Sequence, residues 1–313
     1  MTASPRKTVL ITGAAGALAQ QVINRLHGRY HLVVCDARRE VSMPEDIPSH
    51  HVDFNKRRFE DLFREYPFDS IIHLGRIGTH EYNREGRYAA NVLGSQRLLD
   101  LARTDGGGQT LILSTYFVYG AHPLNPAYLS ESSPLKAAGI TMDLIDSVEL
   151  ENLATIYLWK YPELNISILR PCNIVGPGVN NTLSQLLMQD RVPVLMGFSP
   201  MMQFIHLEDM AYAIVTAFEQ NKPGIYNVAP DDCVPYQTAI EMCGCKKLPI
   251  PSIPDNMPRL LGQLTQREFF PPHLFDYFNY AATIDGSLFS QTFGFTPRYS
   301  LKEIFAHYRN LKS

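Results

Sequence analysis

Six short apolar runs mark the first half of the chain: TVLIT (8–12), HLVVCD (31–36), HHVDF (50–54), SIIHLG (70–75), TLILST (110–115) and ISILRP (166–171). Each is rich in Val, Ile and Leu and bounded by turn residues, which predicts strands buried on both faces. Between most of them lie longer stretches whose apolar positions recur every three or four residues, such as ALAQQVINRLHG (17–28) and NVLGSQRLLDLARTDGGG (91–108). That period predicts amphipathic helices. Strand and helix in alternation predict an α/β fold, a doubly wound parallel sheet with helices on both faces. After Gly176 the alternation loosens. NTLSQLLMQDRV (181–192) reads as a helix, QFIHL and GIYNV as strands, and PIPSIPDNMP as a proline-rich connection. The expected division is a nucleotide-binding domain over 1–175, its sheet completed by segments near 203–230, and a smaller, discontinuous substrate lobe over 176–202 and 231–313.

The first strand leads into the turn VLITGAAGALAQ. A glycine turn that leaves a strand and opens a helix lets backbone N–H groups approach a pyrophosphate at the positive end of the helix dipole. Gly13, Ala15, Gly16, Ala17 and Leu18 form that turn, and Ala19 is small enough to keep the helix close to the sheet. Asp36 ends the second strand about 20 residues beyond Gly16, where a carboxylate accepts hydrogen bonds from the adenosine ribose. With Ala37 and Arg38 it completes the expected adenosine end of a dinucleotide site. NAD is favoured; NADP stays open, because Arg38 and Arg39 could meet a 2′-phosphate.

Composition narrows the class of partner. The 313 residues are 45% hydrophobic and 19% charged, with a net charge of −3 from well-mixed signs. No long Lys/Arg run points to nucleic acid or an anionic membrane, so a small molecule is the expected partner. The five cysteines show no C-x-x-C spacing and no metal site is expected, which suits a reducing cytoplasm. No cleavable apolar leader and no apolar run of membrane-spanning length is read from the sequence.

Further motifs follow in order: VDF (52–54), HLGRIG (73–78), Asn91 with Gly94, STYFVYG (114–120), LRPCNIVGPG (169–178), QFIHLEDMAYAI, GIYNVAP and FGFTPRYSLKEIF. With TGAAGALA they span nearly the whole chain. The sequence resembles the extended short-chain dehydrogenase/reductases, the NAD-dependent epimerase/dehydratase family. The resemblance implies a Rossmann-type fold with a substrate lobe, an NAD cofactor, and a homodimer built on the helix that contains Ile156 and Trp159. It implies that Asp53 and Phe54 hold the adenine and that Leu74, Gly75 and Arg76 lie beneath the cofactor. Asn91, at a helix start, and Ser114, which with Thr115 ends the fifth strand, would contact the cofactor, Pro171 and Cys172 would flank the nicotinamide, and Asn173 would face the substrate.

The catalytic pair departs from the family. In the family a Tyr-x-x-x-Lys pair on one helix supplies the acid/base group and its activating charge. Anchored on ENLATIY and the following LRP, those positions fall on Asp143 and Ser147. Thr115 matches the family's hydroxyl. Lys160 is thirteen residues beyond Ser147, roughly 20 Å at about 1.5 Å per residue, and Lys136 reads as a solvated loop residue. Alternation along an extended segment would turn Tyr116 away from Thr115, Tyr128 reads as a surface residue, and Tyr82 lies in a loop that would border the substrate. Where nucleotide-sugar enzymes of the family carry an arginine, this chain has Met202 beside Met201, which points away from a diphosphate. His73 and His206 read as structural histidines, Glu151 as a solvated or capping carboxylate, and the aromatics of 267–281 as packing. Two functions follow: an atypical oxidoreductase, epimerase or dehydratase acting on a small, non-nucleotide-sugar substrate, or a catalytically silent NAD(P)-binding regulatory or scaffold module.

Overall fold

Thr8–Thr12 (β1) lies at the centre of a seven-stranded parallel sheet in the computed structural model, which describes residues 6–77, 84–250 and 274–312. Around it run His31–Asp36 (β2), Ser49–His51 (β3), Ser70–His73 (β4), Thr110–Leu113 (β5) and Ile166–Pro171 (β6). The principal helices of this half are Ala17–Leu26 (α1), Arg57–Glu65 (α2), Arg84–Tyr88 (α3), Gly94–Asp105 (α4), Ala137–Ile140 (α5) and Ile145–Lys160 (α6). The second half adds strands Asn173–Val175 (β7), Arg191–Leu195 (β8), Met201–Met202 (β9), Phe204–His206 (β10), Gly224–Val228 (β11), Val234–Pro235 (β12) and Lys246–Ile250 (β13). Its helices include Thr182–Met188 (α7), Leu207–Gln220 (α8) and Tyr236–Met242 (α9).

The strand order is β11-β6-β5-β4-β1-β2-β3. From β1 the chain winds outward through β2 and β3, then returns to β4 on the other side, so the order reverses between β1 and β4. Such a reversal opens a crevice beyond the carboxyl ends of the strands. Alternation along β1 sends Val9 and Ile11 to the face covered by α1 and α8, and Leu10 to the face covered by α2, α4 and α6. A third apolar cluster joins α7, β8, β10, α9 and the helix Leu301–Asn310.

Some boundaries moved for local reasons. The run 50–54 is a strand only over Ser49–His51, because Asp53 Oδ1 accepts from the Asn55 backbone at 2.9 Å and turns the chain. Asn91 does not start a helix: it lies inside a helical run from Arg84 to Asp105 that widens to a π-turn over Ala89–Leu93. Of the segments near 203–230, β11 joins the main sheet, whereas β10 pairs with β7. No helix among the described residues is long and apolar enough to cross a membrane.

Candidate dinucleotide cleft

A cleft of about 110 Å³ opens at the β1/β4 reversal. Gly13 adopts φ +73°, and a Cβ there would lie 2.6 Å from Gly75 Cα, so the two loops touch backbone to backbone. Gly16 donates to Gly13 O at 2.9 Å and closes the turn; α1 then begins at Ala17, followed by Leu18, with no side chain capping its first N–H groups. Across the turn, Asp36 is buried, and its Oδ2 accepts from Ala15 N at 2.9 Å. Its Oδ1 accepts from Arg38 N at 2.8 Å and from Arg38 Nε at 3.3 Å. A carboxylate offers about four acceptor sites, so this one still has capacity for a ribose hydroxyl. Ala37, Arg38, Asp53, Phe54, Leu74, Gly75, Arg76 and Asn91 line the same cleft.

The β4 side is held by a buried polar network. His73 bonds Thr12 Oγ1 through Nδ1 at 2.7 Å and Ser95 Oγ through Nε2 at 2.8 Å, while Thr12 Oγ1 also accepts from Gly75 N at 3.0 Å. Asn91 clamps Ile77 twice, accepting from its N–H at 2.8 Å and donating to its carbonyl at 2.9 Å, and donates to Asp146 at 2.6 Å. Asp146 also pairs with Arg87, both nearly inaccessible to solvent. Arg76 donates to Ser147 Oγ.

Burial holds the His73 ring neutral and lowers its pKa to about 4 from an ordinary 6.5. The unfolded chain therefore binds a proton that the folded chain refuses between pH 6.5 and 4. The resulting stability is complete above that window and is lost as pH falls through it, by about 3 kcal/mol in total. Urea denaturation from pH 7 to 4 is expected to show this extra loss in the wild type relative to His73→Gln; a ring that titrates near its ordinary value by NMR would refute it.

Beyond β5 and β6, a second, narrow cavity of about 10 Å³, room for about one water between the side chains as they stand, is lined by Tyr116, Cys172, Asn173, Met201, Met202, Gln203, Tyr277 and Ala282, none of them charged. Tyr116 donates to Asn173 Oδ1 at 2.9 Å, and Asn173 Nδ2 donates to the Gln203 carbonyl at 2.9 Å. Tyr277 donates to Phe117 O at 2.6 Å. Burial pushes the Tyr116 and Tyr277 phenols and the Cys172 thiol well above their ordinary values. Pro171, just before Cys172, ends β6 and is buried.

The pattern of the NAD dependent epimerase/dehydratase family matches residues 9–229. The chain belongs to this family. An uncharacterized protein of Mycobacterium tuberculosis is 24% identical over 317 aligned positions, covering 96% of this chain and 83% of that protein. Among solved structures, the chain is similar to the dTDP-glucose 4,6-dehydratase of Bacillus anthracis, in complex with NAD, at 14% identity and TM-score 0.75, covering 97% of this chain and 96% of that one. It is also similar to the UDP-glucuronic acid 4-epimerase of Bacillus cereus, in complex with UDP-glucuronic acid and NAD, at 19% identity and TM-score 0.74, covering 97% and 99%.

Within this family member, the positions expected to hold the catalytic pair occupy different elements. Asp143 sits in a 3-10 turn, Met142–Leu144, ahead of α6, and its carboxylate pairs with Arg84 at 3.0 Å. Ser147 lies in the first turn of α6, buried under Arg76. Lys136 is exposed, and Lys160 ends α6. The chain's single Tyr-x-x-x-Lys spacing is Tyr308–Lys312. Its tyrosine accepts from Gly176 N and bonds Ser184, and its lysine donates to Leu187 O, which makes it packing of the second lobe.

Ser114 is buried and continues the β5–β6 ladder by donating its N–H to Leu169 O. Thr115 Oγ1 caps a 3-10 turn, Tyr116–Tyr119, by accepting from Phe117 N. That turn overrides the expected strand alternation and brings Tyr116 into the second cavity. Glu151 also differs from expectation: it is wholly buried and bonded to Arg170, neither solvated nor capping. His206 caps α8, accepting from Glu208 N. Tyr128 is half exposed, and Tyr82 lies outside the described residues.

Proposed function

We propose that the chain binds NAD in the cleft and transfers a hydride between it and a small, uncharged substrate in the second cavity. The observation that carries this reading is the contact of Gly13 with Gly75 at the sheet reversal, with Asp36 facing the same turn. Close approach by two glycine backbones leaves room for a pyrophosphate against the start of α1. Asp36 would take the adenosine ribose, Asp53 and Phe54 would border the adenine, and Leu74, Gly75, Pro171 and Cys172 would wall the nicotinamide half. The buried carboxylate at the end of β2 repels a 2′-phosphate, which favours NAD over NADP.

Bound NAD would supply a two-electron hydride acceptor, and the hydroxyl proton that leaves as an alcohol becomes a carbonyl would pass to water. Tyr116 and Asn173 provide a paired hydroxyl and amide that orient a substrate oxygen, with Thr115 fixing the turn that presents Tyr116. Met201 and Met202 give this cavity soft apolar walls in place of a cation, so a nucleotide diphosphate gains nothing there. The catalytically silent module is the second reading. It is favoured by the elevated Tyr116, Tyr277 and Cys172, none of which exchanges a proton readily near neutrality. Ile156 and Trp159, exposed on α6, support a homodimer through that helix, to be checked by sedimentation.

Calorimetry is expected to show NAD binding, with NADP weaker. Nicotinamide absorbance on adding small secondary alcohols and non-nucleotide sugars then separates the readings. Reduction supports the enzyme, binding without reduction supports the module, and no binding of either coenzyme refutes both.

A further inference from the structure

Arg38 and Arg76 are the two cations among the described residues that line the cleft, one following β2 and the other following β4. Arg38 is engaged with Asp36. Arg76 is placed very differently. The backbone on either side is fixed, Gly75 by Thr12 and Ile77 by the double clamp of Asn91. Its guanidinium rests on the neutral hydroxyl of Ser147. The buried carboxylates whose charge it feels each pair with another arginine, Asp146 with Arg87 at 3.2 Å and Glu151 with Arg170 at 2.8 Å, and neither is hydrogen-bonded to Arg76, although Asp146 Oδ1 and Glu151 Oε2 are left without a hydrogen-bond donor. A guanidinium has five N–H donors, and an arginine set into a cleft wall on one neutral acceptor keeps most of them for a ligand. Burial, which lowers its pKa, adds to the demand for an electron-rich partner.

The sheet decides which part of the ligand that is. Asp36 ends β2 on one side of β1, and Arg76 follows β4 on the other. A dinucleotide whose pyrophosphate meets the central turn, with its adenosine ribose at Asp36, must carry its second ribose towards β4. We propose that Arg76, seated on Ser147, is the cation that grips the nicotinamide-side ribose of the bound dinucleotide. This rests on the dinucleotide reading above. It also gives the serine a purpose: a small residue at 147 leaves the space that the guanidinium fills, whereas a lysine there would crowd and repel it.

Binding of NAD, ADP-ribose and ADP to the full chain tests the idea, because ADP lacks the second ribose. Arg76→Met is expected to weaken NAD and ADP-ribose about ten- to a hundredfold and leave ADP unchanged. Ser147→Ala, a milder change that keeps the charge, is expected to weaken the same two ligands a few-fold. Arg76→Ala with Ser147→Lys, which returns a cation from the helix side, is expected to recover most of the loss. Equal weakening of ADP and ADP-ribose by Arg76→Met, or weakening of neither, overturns the inference while the dinucleotide reading stands. A wild-type chain that binds none of the three removes both. Should Arg76→Met fail to fold, the Ser147→Ala comparison decides by the same ligand pattern.

Discussion

Gly13→Ala is expected to lower folding stability by about 2–5 kcal/mol and to abolish dinucleotide binding. Two costs add. A residue with a Cβ held at φ +73° has its side chain too close to the following carbonyl, at about 1–2 kcal/mol. The new methyl would also lie 2.6 Å from Gly75 Cα, 2.7 Å from Gly75 N and 2.9 Å from the Leu74 carbonyl carbon. All three are backbone atoms that cannot swing aside, so the β4 loop must shift, which adds about 1–3 kcal/mol. That shift pulls on Gly75 N, which is bonded to Thr12, and on Arg76 directly after it. Gly28→Ala is the internal control: Gly28 has φ +76° but open space around the added carbon, so it carries only the same backbone cost of about 1–2 kcal/mol. Urea denaturation of both variants reads the difference. Equal losses would mean that the two loops do not meet as described.

The parts of this molecule that were legible in the sequence are those decided within one segment. Val, Ile and Leu runs bounded by turn residues mark the strands because a parallel strand covered on both faces has no solvent side to encode. The turn at Gly13–Gly16 is legible for a similar reason: its backbone geometry admits few residues other than glycine. The side chains proposed to act are a different case. Tyr116 is brought inward by a turn that Thr115 caps and by Asn173, 57 residues further on. Arg76 meets Ser147 across 71 residues, and no local pattern announces that contact. One signal was available, since the resemblance places an expected small residue at 76 and an expected lysine at 147, where this chain has Arg76 and Ser147. Under the proposal above, the two departures belong together. Glu151 was also recoverable. Arg170 sits in ISILRP, an otherwise apolar strand, and a guanidinium buried there demands an acid from the covering helix.

That demand defines the second large expected effect. Glu151→Ala should destabilise the chain by about 3–5 kcal/mol, because it leaves Arg170 charged and uncompensated in the interior. Glu151 is fully buried, and its Oε1 takes both Arg170 Nε, at 2.9 Å, and Nη2, at 2.8 Å. Arg170 Nη1 donates in turn to Tyr119 Oη at 2.7 Å and to the Glu131 carbonyl at 2.9 Å, and Tyr119 donates to Asn227 at 2.7 Å. The pair thus ties α6 to β6 and to the segment before α5. Glu151→Gln, which keeps an acceptor and removes the charge, should cost less than Glu151→Ala. Replacing both partners, Glu151→Leu with Arg170→Met, should recover much of the loss, because a buried ion pair gains little over well-packed apolar groups. Guanidinium denaturation of the four proteins reads the ranking, and a Glu151→Ala loss below about 1 kcal/mol would mean that water reaches the pair and screens it. The effect should extend to the cleft. Ser147 lies one helical turn before Glu151 on the same face of α6, so loosening that turn unseats Arg76. Glu151→Ala should therefore weaken NAD more than ADP even at a temperature where the variant is fully folded.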